Sequence, residues 1–261
     1  MVEFLGYLGL AFIPAFILLD AFRGSREYST PRWWRVRGVI VTVSAVWLSM
    51  VVATFWAKLL GDYTLFDLSG LGIVASSIVG ILVYEFVHYW YHRAIHRFDV
   101  LWRFAHQMHH SAERLDAFGA YYLHPVDVFF FTTWGSLVFV PLLGLGAEAA
   151  AIGAAFLTFN AMFQHANIRT PHWLGYIIQR PESHNIHHAR GVHHYNYSDL
   201  PLWDMLFGTF RNPKTVEGVE AGFYDGASTR ILDQLFFQDV SEPLPDEGAR
   251  HDDRPVASAG A

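Results

Sequence analysis

The chain of 261 residues is 52% hydrophobic and only 16% charged, with a formal net charge of −6 and a mean hydropathy of +0.22. A soluble domain carries roughly a quarter charged residues, so the shortage of polar surface points to a bilayer, and the negative balance without a basic stripe argues against a nucleic-acid partner. With no cysteine in the chain, disulfides, thiolate zinc sites, iron–sulfur clusters and covalent haem attachment are excluded together, which leaves histidine as the main soft ligand.

A helix that crosses a bilayer needs roughly 20 mostly apolar residues. In chain order, Val2 to Phe22, Val39 to Leu60, Gly70 to about Trp90, Val126 to Leu145 and Ala147 to about Ala166 meet or approach that length. The first has no basic segment ahead of it and no small-residue cleavage site before Arg23, so it reads as a retained span rather than a signal peptide. For the last two, a hairpin that dips into the membrane without crossing stays open.

Arg23, Arg26, Arg32, Arg35 and Arg37 lie between the first two spans, whereas Gly61 to Ser69 and the turn near Gly144 carry no Lys or Arg. The positive-inside rule then places the arginine loop in the cytoplasm and the N-terminus outside. Counting onward, the third span ends just before His92 and the fifth just before the last histidine cluster, so the clusters face the cytoplasm. Beyond Thr170 the chain turns polar, with Pro171, Pro181, Pro201 and Pro213 marking a loop-rich cap. From Ser241 onward apolar content is too low to pack, and disorder is expected there, His251 included. The expected fold is all-α, a polytopic integral membrane helical bundle with a cytoplasmic histidine-rich di-metal cap. Residues 1–69 would form a transmembrane hairpin, 70–213 the histidine-bearing domain and 214–261 a C-terminal extension.

Three histidine clusters carry the chemistry: His92 and His96 in HRAIH, His106, His109 and His110 in HQMHH, and His184, His187 and His188 in HNIHH. Spacings of three and four residues place each cluster on one helical face. Imidazole is the commonest metal ligand among side chains, and eight such residues exceed what a four-coordinate zinc site uses. His165, at the end of the last span, brings the total to nine, which suits two metals with four or five nitrogens each. His88 lies a turn before His92 and is either a further ligand or a hydrogen-bonded packing residue. His193 and His194 read as solvated loop. Neutral imidazole suits Zn, Cu, Fe and Ni, but the HExxH of zinc hydrolases is absent. A histidine-rich pair of irons can bind O2 and attack unactivated C–H bonds, chemistry that justifies a site set against lipid, so iron is favoured.

A GxGxxA match from Gly144 to Ala149 sits between apolar spans with no strand before it, so no nicotinamide or flavin fingerprint is present. Electrons must come from a separate donor such as a cytochrome, a ferredoxin or a reductase.

HRAIH, HQMHH and HNIHH, in that order, resemble the boxes of the fatty acid hydroxylase/sterol desaturase superfamily of membrane di-iron oxygenases. The resemblance runs from about Tyr84 to Phe210. It takes in His124-Pro125-Val126-Asp127, the FQHAN around His165 and the NYSDLPLWDMLFGTF that follows the third box, and it looks closest to the sterol desaturase branch. It implies a membrane enzyme that uses two non-haem irons and O2 to hydroxylate or desaturate a sterol-like, alkylglycerol or fatty acyl lipid. It maps the box histidines and His165 to metal ligands. His124 is left as ligand or supporting partner, and Asp204 and Asn196 are candidates for orienting ligand imidazoles. Glu85 departs from the aspartate common ahead of the first box but keeps its charge. Two other functions stay open on the residues alone: a non-redox metal-binding membrane protein and a zinc-dependent membrane hydrolase.

Overall fold

The computed structural model describes residues 1–244. The tail from residue 245, with His251, lies outside the described residues. Within them every regular element is helical, and the one extended pairing is an isolated antiparallel bridge between Ala189 and Ala221. The helices are α1 (Val2–Arg23), α2 (Trp34–Leu60), α3 (Ile73–Arg97), α4 (Asp99–Leu101), α5 (Gln107–His110), α6 (Pro125–Leu137), α7 (Ala147–His165), α8 (Pro181–His187), α9 (Pro201–Phe207) and α10 (Ile231–Leu235). Two π turns, Trp102–His106 and Val138–Leu142, join α4 to α5 and prolong α6.

Among the described residues four helical stretches are long and apolar enough to cross a membrane: α1, α2, α3 and Pro125–Leu142. The fifth expected span, α7, is helical over the expected range but is not among the four. Glu148, Asn160, Gln164 and His165 reduce its apolar character. Helix α3 continues seven residues beyond its expected end at Trp90 because no Gly or Pro interrupts it. The first histidine box is therefore the last two turns of a spanning helix, rigidly attached to it.

Chain direction sorts the bundle into two sets. The C-terminal ends of α1, α3 and α7 and the N-terminal ends of α2 and α6 meet at the histidine side. At the opposite side the loop after α2 is hydrogen-bonded to the end of α6, with Leu65 and Phe66 N–H donating to the carbonyls of Pro141 and Leu142 at 2.8 and 2.9 Å. Helix α1 lies along α7, and the missing side chain of Gly9 admits the backbone of Ala155. Helix α2 lies along α6, where Ser49 and Thr132 hydroxyls meet at 3.1 Å. Gly38 at the start of α2 is required: a Cβ there would collide with the carbonyl oxygen of Phe118.

Buried side chains lock the cap to this bundle. Asp20, near the end of α1, accepts the backbone N–H of Ala117 at 2.6 Å and of Asn167 at 3.0 Å, tying α1 to the loop after the second box and to the end of α7. Glu113 accepts the N–H groups of Gly226 and Ser228. The Gln107 side chain bonds both the Gln238 carbonyl and the Val240 N–H. The extension after residue 213 is thus stitched to the second box as far as Val240.

Asp20→Ala should strip two buried backbone donors of their acceptor, at about 1–3 kcal/mol each. A thermal melt of purified protein should show a clear fall in stability, while Asp62→Ala, in an exposed turn, should leave the melt unchanged.

Candidate metal centre

The nine expected imidazoles come together in two groups. His92, His96, His106, His110 and His187 form the first, and His109, His165, His184 and His188 the second; within each, one ring nitrogen per residue lies within 4.8 Å of all the others. Each of the two HxxHH boxes is divided between the groups. Adjacent residues on a helix point about 100° apart, so His109 and His110 face different centres, as do His187 and His188. The π turn from Trp102 to His106 adds to this at the second box, delivering His106 to the same centre as His110. Such bulges are frequent at functional sites.

The ring edges facing away from the centres determine what the inner edges can do. His92 Nδ1–H donates to the Tyr197 carbonyl at 2.6 Å, His187 Nδ1–H to the Tyr195 carbonyl at 2.7 Å and His165 Nδ1–H to the Ala161 carbonyl at 2.7 Å. His106 Nδ1–H donates to Asp127 Oδ2 at 2.6 Å. Carbonyls and carboxylates only accept, so each of these Nδ1 atoms carries a proton, and the neutral form of the ring then has its lone pair on Nε2. Yet His92 Nε2 and His106 Nε2 are 2.9 Å apart, two acceptors facing each other. His110 and His187 meet through Nε2 at 3.1 Å, as do His109 with His165 and His184 with His165. The His92–His106 pair, with both Nδ1 atoms committed, sets two lone pairs against each other and calls for a Lewis acid between them; in the other three pairs one ring can donate from Nε2. Metal–imidazole bonds of about 2.1 Å at right angles would place neighbouring nitrogens about 3.0 Å apart. The donor set fits a metal at each group.

Protonation agrees. Burial, then the neighbouring imidazoles, holds His109, His110, His184, His187 and His188 well below the usual histidine range. They are neutral at pH 7, the form a metal needs.

The other candidates fall outside the two groups. His124 caps α6: its Nδ1 accepts the Val126 N–H at 3.1 Å, and its ring packs on Phe237. His88 stacks on His92 at 5.4 Å between ring centres and joins a third buried set with Glu85 and Asp199. Asp204 accepts the N–H groups of Tyr197 and Ser198 at 2.8 and 2.9 Å, so it positions the Tyr197 carbonyl that in turn orients His92. Asn196 ties its loop to Ser183 and Arg211 and receives Gln179 Nε2 on its carbonyl at 2.6 Å. Both support ligand rings through backbone rather than by direct contact.

One expectation changes. His193 is no solvated loop residue; its Nδ1 lies 3.1 Å from His110 Nδ1 and its ring packs on Phe223. Its neighbour His194 is exposed, as expected. Sequence reasoning also missed Asp127 as a partner of His106 and Glu85 as the acceptor for the N–H of Asp199 at 2.9 Å. A signal was available for both, since a carboxylate in an apolar membrane segment is a functional candidate by default.

Between the helices a cavity of about 630 Å³ runs from apolar walls that include Ile13, Val46, Phe131 and Leu157 to the imidazoles of His92, His106, His109, His165 and His184. It touches both histidine groups.

The fatty acid hydroxylase family model matches residues 77–209, just over half of the chain, and the chain belongs to that family. An ornithine lipid hydroxylase of Rhizobium tropici is 31% identical over 71% of this chain and 57% of its own. Sphinganine C4-monooxygenase 1 of Arabidopsis thaliana is 26% identical over 62% and 64%, and human alkylglycerol monooxygenase 28% identical over 70% and 41%. The chain thus spans from two-fifths to under two-thirds of these relatives. No solved structure matches it. With four membrane-length apolar helices, it is a multi-pass membrane protein of a metal-dependent family.

Asp127→Asn should weaken metal binding by about 10–100-fold, because it removes the charge that fixes the His106 tautomer. His124→Ala should leave metal content unchanged and lower only stability, by about 0.5–2 kcal/mol for a lost helix cap. Metal analysis and a thermal melt of both variants separate the two roles. A pH dependence also follows for metal-free protein. The five depressed histidines bind protons in the unfolded chain near pH 6.5 but resist them when folded. Stability should therefore be full above pH 6.5 and fall progressively below it; equal melting temperatures at pH 7.5 and 5.5 would contradict this.

Proposed function

We propose that the protein is an O2-dependent membrane oxygenase that hydroxylates or desaturates a lipid, with one iron in each histidine group. The observation that carries the proposal is the apolar cavity ending on both groups. A site meant for water-soluble substrates has no use for a hydrocarbon-sized passage lined from the spanning helices. The names of the relatives, all acting on lipids, support the same class, and sterol-like, alkylglycerol and fatty acyl substrates all suit the cavity.

His92, His96, His106, His110 and His187 would hold one iron, and His109, His165, His184 and His188 the other. Iron bound there would activate O2 and cleave a C–H bond. The protein contributes position and exclusion. Asp127 and the carbonyls of Tyr195, Tyr197 and Ala161 hold His106, His187, His92 and His165 with Nε2 turned inward. Phe131, against both His88 and His92, keeps the approach dry. Electrons would arrive from a separate donor on the cap face, which we place in the cytoplasm. The arginine loop lies on that face, where Arg26 pairs with Glu182 of α8 at 2.8 Å.

Purified full-length protein, given candidate lipids, O2 and a reductant system, should yield products with added oxygen or lost hydrogen by mass analysis, and should carry about two irons per chain. His187→Ala should abolish turnover and lower bound iron while membrane insertion is retained. One zinc per chain with lipid hydrolysis would overturn the proposal. For orientation, a reporter fused after Val240 should read as cytoplasmic and one between Gly61 and Ser69 as external; the reverse pattern would move the donor to the other face.

A further inference from the structure

We propose that the short helix α9 and the neighbouring turn at residues 171–178 are embedded in the bilayer, as a foot of the cap whose occupant is the lipid of the leaflet beside it. The inference rests on the membrane-spanning fold and is independent of the oxygenase reading.

Helix α3 sets the depth. Roughly 20 residues cross the hydrocarbon core, so a span that starts at Ile73 reaches its far edge near His92. Phe86 and Trp90 lie one turn apart on that segment and are exposed, which sets both rings against acyl chains. Arg93 marks the edge. Its guanidinium lies over the Trp90 ring, 5.5 Å from the centroid, and donates to the Tyr89 hydroxyl at 2.9 Å; Trp and Arg gather where a helix leaves lipid. Helix α9 packs on the lipid side of that mark. Trp203 meets Phe86 and Phe207 meets Trp90, each pair at 4.9 Å between ring centres. Phe86 precedes Arg93 by seven residues, about 10 Å along the axis. Interfacial helices bury their apolar face to a similar depth, about 5–10 Å.

The outer surface of α9 suits the same medium. Leu202, Met205 and Leu206, at spacings of three and four, share one face and are exposed. Trp173 and Ile177 are exposed on the adjacent turn, which Tyr176 joins to this region by packing on Phe210 at 5.6 Å. Residues 171–179 and 200–210 contain one charged side chain, Asp204, and it is fully buried. An exposed apolar patch of this kind marks a membrane or a protein partner. Continuity decides for the membrane, because Trp203 and Phe207 join the patch directly to the lipid-facing side of α3. The inner side of α9 carries Asp204, which holds the N–H groups of Tyr197 and Ser198. One short helix thus has lipid on one side and, on the other, the loop that orients His92.

The chain has no cysteine, so single labels can be placed without removing any. Leu206→Cys and Ile177→Cys are labelled with the fluorophore NBD in full-length, metal-loaded protein held in phosphatidylcholine nanodiscs. Ile78→Cys, exposed on the spanning part of α3, gives the lipid reference, and Glu217→Cys, exposed on the cap, the aqueous one. Both test labels should match Ile78: blue-shifted emission, strong quenching by lipids with a nitroxide on the acyl chain, and loss of the iodide quenching seen at Glu217. Labels at Leu202 and Trp173 replace them if either variant loses its metal or melts early. Iodide quenching at either site closer to that of Glu217 than to that of Ile78 would overturn the proposal and leave the patch to a protein partner.

Discussion

Imidazole lone pairs held face to face are the constraint on which the rest of this structure depends. The 2.9 Å separation between His92 Nε2 and His106 Nε2, whose rings are already committed through Nδ1, is repulsive between neutral rings in the bare protein and favourable around a cation. The fold is arranged to impose that geometry. Four of the rings are braced from behind, His92, His165 and His187 by backbone carbonyls and His106 by Asp127. Those braces sit on elements fixed by buried carboxylates, such as Asp204 beneath the Tyr197 loop. A centre assembled this way is preorganised, because metal binding has little left to order.

The bundle explains where such a centre can be built. Helices α3 and α7 bring His92, His96 and His165 as their final turns, so three ligands ride on long apolar helices set by lipid and helix packing. The other six come from short elements of the cap, α5, α8 and the π turn, which depend on polar stitching by Asp20, Glu113 and Gln107. The division has a functional sense. The spanning helices bring the hydrocarbon cavity to the metals, and the cap closes the opposite side against water.

Much of this was legible in the sequence, for physical reasons that also mark where legibility stops. Apolar runs report helices directly, and α1, α2 and α7 match expectation within a few residues. Eight of the nine histidines announced themselves through repeated helical spacing, and His165 through its place at the end of the last apolar run. What spacing could not convey was the partition of His109 from His110 and of His187 from His188, because one helical face was assumed where two centres share the box. The π turn that delivers His106 has no sequence signature of its own. His193 was misplaced because it lies on a loop, where side-chain direction follows from a positive φ rather than from periodicity. His124 illustrates the opposite hazard: its motif suggested a ligand, but the residue before Pro125 occupies the cap position of α6, and its ring nitrogen serves the Val126 N–H.

The central claim, two metals held almost wholly by imidazole, is tested most directly by X-ray absorption at the iron edge of purified protein. The account predicts a first shell dominated by nitrogen, with the outer-shell scattering of four to five imidazoles per metal averaged over groups of five and four and with bonds of about 2.1 Å. A first shell dominated by carboxylate oxygen, with one or two imidazoles per metal, would contradict it.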